Sequence, residues 1–449
     1  MYVVSAKKSD GGCGAPWNLE GVEEKLMILQ DKVLDSKCQL FADVTGVHKD
    51  NLYGDINMVN GVPFPNQPLE AKPYIFRFLN GAVSRPFKYR IETAAGTSVS
   101  DKICQIIGAD GGFRYEKPVA FPVGGLLNGV AERWDVYCDF SAYSGQNLYW
   151  ANKKDDGQMD KTPMFCYSHL IAKITVGSSP ATAAAKLNSA LPAPFSATLM
   201  DRVLSADDYK TALAMANNGK PHRSFVFGRS NGMWTINGET WDTAKIAASD
   251  VGQNTWYDVS LINNFNNNRE VWEFKSGGGW FHPVHVHLVD FFVIKRDGAK
   301  GGLEPFEIKS PKDVLYLGPS NTVYVIARFG AHKGDYMFHC HNLIHEDNDM
   351  MRAFRTINGT QGINKASVAN SPYVLNPLYN IVYSNFKYQD PMLGETAAIP
   401  SGNAVSLLSK AATGLDLNLY RIFYTTASDK TFMKGIISNP WNSEWCALL

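Results

Sequence analysis

Six of the ten histidines fall in two short segments, and their spacing restricts this chain more than any other feature. His282, His285 and His287 lie within FHPVHVH; His339, His341 and His345 lie within HCHNLIHEDNDMM, beside Cys340 and Met350. In an extended strand, side chains at i and i+2 share a face while i+1 points the opposite way. His339 and His341 therefore face one way and Cys340 the other, and His285 and His287 repeat the paired spacing. One such strand serves two centres, joined by the two peptide units that flank the cysteine. Pro283 breaks regular strand pairing, and is expected to let His282 be aimed apart from the other two.

The donor set at the cysteine is specific. Cys340, His345 and Met350 are separated by equal loops of four residues. A thiolate, two imidazoles and a weak thioether form the ligand set of a blue copper electron-transfer site, with His282 as the candidate second imidazole. Met351 is the alternative axial ligand. Zinc accepts Cys and His, but a lone thiolate with a thioether is an unusual zinc set. His48, His169, His222 and His332 stand alone and are assigned no metal.

The remaining texture is that of short strands and turns. Aromatic residues make up 12% of the 449 positions, and 38 Gly and 22 Pro are spread along the chain, which predicts an all-β fold of β-sandwich or barrel domains. INMVNGVPFP (56–65) and YIFRFLN (74–80) read as strands, the first closing on an Asn-Gly turn. KICQIIGADGG and ERWDVYCDFS continue the pattern, and 206–217 reads as a helix. The expected organisation is a remnant or linker over 1–50, a β-domain over 51–176, a linker over 177–222, a second β-domain over 223–357 and a partly helical tail over 358–449. Lys plus Arg equals Asp plus Glu at 43 each, so neither nucleic acid nor an anionic membrane is an expected partner. Setting Cys340 aside leaves Cys13, Cys38, Cys104, Cys138, Cys166 and Cys446, an even number compatible with disulfides or with buried thiols. MYVVSAKKSDGG lacks the pattern of a signal peptide, while Asn358-Gly-Thr360 is a glycosylation sequon, so localisation stays open.

HPVHVH and HCHNLIHEDNDMM resemble the two C-terminal copper motifs of the multicopper oxidases, most closely those of fungal bilirubin oxidases and spore-coat-type laccases. YGDINMVNGVPFP, YIFRFLNGAVSR, AERWDVYCDFS, MWTING, HLVDFFVI and YMFHCHNLIHED extend the likeness in the same order, over about 50 to 357. It implies two cupredoxin-like Greek-key domains, the second and third of a three-domain enzyme. It further implies that His282, Cys340, His345 and Met350 hold a type 1 copper, His285 a type 2 copper, and His287, His339 and His341 the type 3 pair. Trp280 would border the substrate side, and Glu346 would deliver protons for oxygen reduction; a packing aromatic and a solvated carboxylate are the plainer roles for these two. The implied partners are a small aromatic substrate and dioxygen, with pigment or secondary-metabolite biosynthesis as a setting.

In one respect the chain departs from that pattern. The family's oxygen-reducing cluster takes eight histidines, four of them from His-x-His pairs in a first domain, and only the four C-terminal ones stand here. MYVVSAKK resembles the point where such enzymes leave that first domain. Two expectations follow: an oxidase whose first cupredoxin domain is missing from this sequence, or a type 1 copper protein without autonomous oxygen reduction, acting in electron transfer or with a partner.

Overall fold

The computed structural model describes residues 17, 19, 21–37, 39–153, 163, 165, 167–180, 187, 204–242, 256–260, 269–298, 302–329 and 334–357. These form two β-sandwich units, as the strand-and-turn texture predicts. In the first, an eight-stranded sheet has Glu23–Lys32, Pro73–Asn80, Arg133–Asp139 and Cys104–Ala109 as successive neighbours. A five-stranded sheet that includes Phe87–Thr93 and Asn147–Asn152 shares its core. That core is aromatic: the Trp150 ring takes edge contacts from Phe76, Phe78 and Tyr89 at centroid distances of 5.4, 5.0 and 5.9 Å.

The first strand lies earlier than the expected boundary at 51. Glu23–Lys32 pairs in parallel with Pro73–Asn80, and Met27, Leu29 and Asp31 alternate into the interior. Period-two burial of a strand is the reason this segment is extended. Asp31 is the polar member of that face, and its carboxyl group meets the buried Arg85 at 2.7 Å. The Asn60-Gly61 pair makes the hairpin turn, with φ of 53° and 79°, and joins Ile56–Val59 to Val62–Pro63. Among the remaining cysteines, Cys104 and Cys138 are register partners on neighbouring strands and form a disulfide.

The second unit repeats the topology. Arg223–Ser230 runs parallel to Arg269–Ser276, the counterpart of the first unit's parallel pair. Its second sheet places the strands in the order Trp256–Ser260, Met351–Ile357, Gly334–Cys340, His282–Val286, Val314–Leu317. The expected helix spans Ala206–Asn217, opened by a reciprocal cap between Ser205 and Asp208. Its Ala212 and Ala216 pack on Val271, Phe292 and Ile326 of the second unit. The strand Leu170–Pro180 runs into the expected linker. The tail over 358–449 and the MYVVSAKK segment lie outside the described residues.

Buried charges lock the two units together. Lys312 of the second unit lies 3.1 Å from Asp110 and 3.0 Å from Glu132 of the first. Arg133 grips the Asp313 carboxylate with two hydrogen bonds of 2.5 and 2.6 Å. Removing one partner of the Lys312 cluster would leave the others buried without an opposite charge, which makes these contacts costly to break.

Candidate metal centre

The strand His282–Val286 is the middle of the site, held between Val314–Leu317 and Gly334–Cys340. Val284 is opposite Cys340, and His285 is opposite His339. Paired residues share a face, so His282, Val284 and Cys340 point into the second unit's core while His285 and His339 point out of it. Pro283 does not interrupt this arrangement: it pairs with Tyr316, and its carbonyl accepts the His341 N–H at 2.6 Å. Strand parity, an odd offset of three residues, separates His282 from His285; the proline has no part in it.

On the core face, three ligand atoms converge. Cys340 Sγ lies 3.6 Å from His282 Nδ1 and 3.5 Å from His345 Nδ1, and the two nitrogens are 3.3 Å apart. All three residues are fully buried. The centre of such a triangle lies about 2 Å from each corner, close to the bond lengths of a first-row metal to imidazole and thiolate. Burial lowers the His282 imidazole to about 3 and holds His345 well below its ordinary value, so both rings are neutral and offer lone pairs. Burial also pushes the Cys340 thiol far up, while the Asn342 backbone N–H opposes that shift. A cation entering the triangle would displace the thiol proton.

The loop from Cys340 to Met350 is shaped by the short helix Leu343–Asp347, whose Asn342 cap accepts the Ile344 N–H. The Cys340 N–H donates to the Met350 carbonyl, and the Met350 N–H to the His345 carbonyl, both at 3.1 Å. Met350 is buried in the same core cluster as Cys340. His345 Nε2 reaches the first unit at the Asp50 carbonyl, 3.1 Å away.

Trp234 stacks on the His345 ring with centroids 3.6 Å apart and planes 24° from parallel. Trp280 is one layer further out, edge-on to Trp234 at 5.1 Å and to His345 at 6.4 Å. Arg229 lies over the Trp234 ring at 4.7 Å. Trp234 was given no role on sequence grounds; its only signal was its place in the MWTING stretch.

On the opposite face lie four imidazoles. Ligand atoms of His285, His287 and His339 all fall within 4.8 Å of one another. His287 Nε2 and His339 Nε2 are 3.4 Å apart. The His341 ring is 5.5 Å from that of His339 and 5.9 Å from that of His285. His285 Nδ1 donates to the Asp313 carbonyl at 2.8 Å, which leaves Nε2 for the cluster. Burial lowers His339 to about 3 and lowers His287 and His341 as well. Glu346 lies 3.5 Å from His339 Nδ1, and burial, with Asp347 beside it, raises its carboxyl to about 7. Since that imidazole is neutral, this contact is not an ion pair. The lone histidines serve structure where they are described: His48 Nδ1 accepts the Asp43 N–H and His222 Nδ1 the Val271 N–H.

Comparison with known proteins agrees with this geometry. Residues 213–360 match the family described as multicopper oxidase. A bilirubin oxidase of Albifimbria verrucaria is 34% identical over 344 residues, 73% of this chain and 52% of that protein. A laccase of Haloferax volcanii is 29% identical over 73% of this chain and 51% of its own length. The chain thus spans about half the length of the curated relatives it matches. Among solved structures, the McoA multicopper oxidase of Aquifex aeolicus superposes with a TM-score of 0.57 at 23% identity, covering 75% of this chain and 66% of that one. A laccase from Pediococcus acidilactici gives 0.54 at 24%, covering 75% and 61%. These last two establish the cupredoxin-type all-β fold.

Proposed function

The chain belongs to the multicopper oxidase family, and on that premise we propose that it is the donor-oxidising part of a laccase-like copper oxidase acting on phenolic or polycyclic aromatic substrates. The observation that carries the reading is one strand with a buried thiol on one face and imidazoles on the other. His282, Cys340 and His345 would hold a type 1 copper with Met350 as axial ligand; His285 would bind a type 2 copper, and His287, His339 and His341 half of a type 3 pair. Copper there supplies one-electron acceptor chemistry at the first site and, at a completed second site, reduction of dioxygen to water.

The chain's own residues do the rest. Full burial of the Cys340 triangle excludes water from its ligands. The His339-Cys340-His341 backbone is a covalent route from one face to the other. Trp280, partly exposed and edge-on to His345, offers aromatic surface where a flat donor can stack, with the buried Trp234 behind it. Glu346, beside His339, holds a proton near the second cluster. Oxidative coupling of aromatic precursors, as in pigment or secondary-metabolite formation, is the setting we favour from the likeness to a fungal bilirubin oxidase.

The open four-imidazole face favours a second reading, a type 1 copper protein that transfers electrons or works with a partner supplying further ligands. Copper content, absorption and oxygen uptake of the protein purified from its natural source separate the two. Blue absorption with oxygen uptake on 2,6-dimethoxyphenol supports the oxidase; blue absorption without uptake leaves electron transfer. A chain that takes up copper with no blue absorption would sink both.

A further inference from the structure

A cavity of about 490 Å³ opens between the two units, walled by Gly124, Trp134 and Leu127 of the first and by Glu304, Phe306 and Tyr316 of the second. That volume lies in the range of small-molecule pockets. It is separate from the Trp234 and Trp280 side of the metal triangle, yet it communicates with it through rings. Tyr316 stacks on the buried Phe281 at 5.5 Å with planes 21° apart, and Phe281 packs on His345 at 6.5 Å and 40°. Trp134 stands edge-on to Phe306 at 5.1 Å, so the opposite wall is also aromatic.

The polar groups of the cavity are not equivalent. Arg296 is committed to Glu307, and Glu132 to Lys312. The Glu304 carboxylate is half-buried, is disfavoured in its charged form first by burial and then by Glu307, and accepts no hydrogen bond from the described residues. A space walled in part by aromatic rings, with Lys88 and Asn321 also on its lining and one carboxylate that accepts no hydrogen bond from the described residues, suits a ring that carries an N–H or O–H.

We propose that this cleft binds one small aromatic hydrogen-bond donor, a phenol or an aromatic amine, its ring on the Tyr316 wall and its donor on Glu304. The cleft is then a second docking place for the substrate class of the proposed oxidase, reaching His345 through Phe281. Its functional sense rests on that reading, but its occupancy does not, so the two fail separately.

The test uses the copper-free full chain, with 4-fluorophenol as probe and fluorine NMR line broadening as readout. Saturable binding is expected, with one equivalent at the cleft. Gly124 and Gly302 both line the cleft, and a Cβ on either meets open space at an unstrained φ. Gly124→Trp and Gly302→Trp, each shown folded by circular dichroism, should therefore fill it and weaken binding about tenfold or more. Glu304→Gln should weaken it by about threefold, and 4-fluorotoluene, which has no donor, should bind no better to the unaltered chain than 4-fluorophenol does to that variant. Met233→Ala, at an exposed residue outside the cleft, should change nothing. Absence of saturable binding overturns the proposal, as does binding that both tryptophan variants leave intact or that Met233→Ala abolishes.

Discussion

The two faces of the Gly334–Cys340 strand carry clusters of opposite character. On the core face three ligand atoms from three segments form a triangle with edges of 3.3 to 3.6 Å, and every residue in it is fully buried. On the other face, four imidazoles gather on two strands and the residues just past their ends, and the His285 side chain is 23% exposed. The first cluster is finished by its own sandwich, because Val284, Phe338 and Phe354 pack round it as ordinary core. The second is shaped but not enclosed. A strand separates the two only because alternate side chains point apart, so a single residue of register slip would exchange the faces. The difference teaches that one site draws all its ligand atoms into a single buried core, whereas the other presents its ligands at an open face.

The sharpest way to break the comparison is at the thiol. In the copper-loaded protein Cys340→Ser should abolish the blue absorption altogether, since that intensity belongs to the copper–thiolate bond. Copper bound by the four imidazoles should remain, so total copper falls by one equivalent in metal analysis. Loss of copper from both faces together would show that the clusters are not independent.

The next largest effect concerns support from the other unit. Lys312 is 1% exposed and holds Asp110 and Glu132, and Asp110 in turn accepts the backbone N–H groups of Asp313 and Val314. The Asp313 carbonyl is the partner of His285 Nδ1. The open cluster is thus braced across the domain interface by charged groups, while the loop of the closed one meets the first unit through neutral hydrogen bonds, His345 at the Asp50 carbonyl, Asn342 at Asn51 and Ser84, and the Leu343 N–H at the Val83 carbonyl. Lys312→Met leaves two buried carboxylates facing each other and should cost about 3–5 kcal/mol, read from urea unfolding. Copper should loosen on the open face first, with blue absorption retained. If blue absorption is lost before the other copper, the assignment of support is reversed.

Much of this was legible in the chain, and the reasons differ by feature. The i, i+2 histidine pairs fixed the faces because strand alternation is local. The helix over 206–217 was readable from its own residues for the same reason. What was missed depends on distant partners. Glu23–Lys32 has an apolar pattern of its own, yet its place as a strand of the first sheet comes from pairing with Pro73–Asn80, some fifty residues on. The aim of His282 was credited to Pro283, whereas parity alone accounts for it. Cysteine parity left the pairing open, and only the register of two strands joins Cys104 to Cys138. The stack of Trp234 on His345 spans more than a hundred residues of sequence and has no local signature.

That stack sets the smallest of these effects and tests how self-sufficient the closed cluster is. Trp234 is 2% exposed, lies flat on His345 and carries Arg229 over its outer surface. Trp234→Phe keeps an aromatic face but shortens it, so part of the stack and most of the cation–π contact go. The expected loss is about 1 kcal/mol in unfolding free energy. Because His345 is also held at Nε2 by Asp50 and through its backbone by Asn342 and Met350, the three ligand atoms should stay together. Blue absorption should therefore persist with a small shift in its maximum, and copper on the opposite face should be unchanged. A variant that folds yet gives no blue absorption would show that the ring, rather than the sandwich core, assembles the triangle.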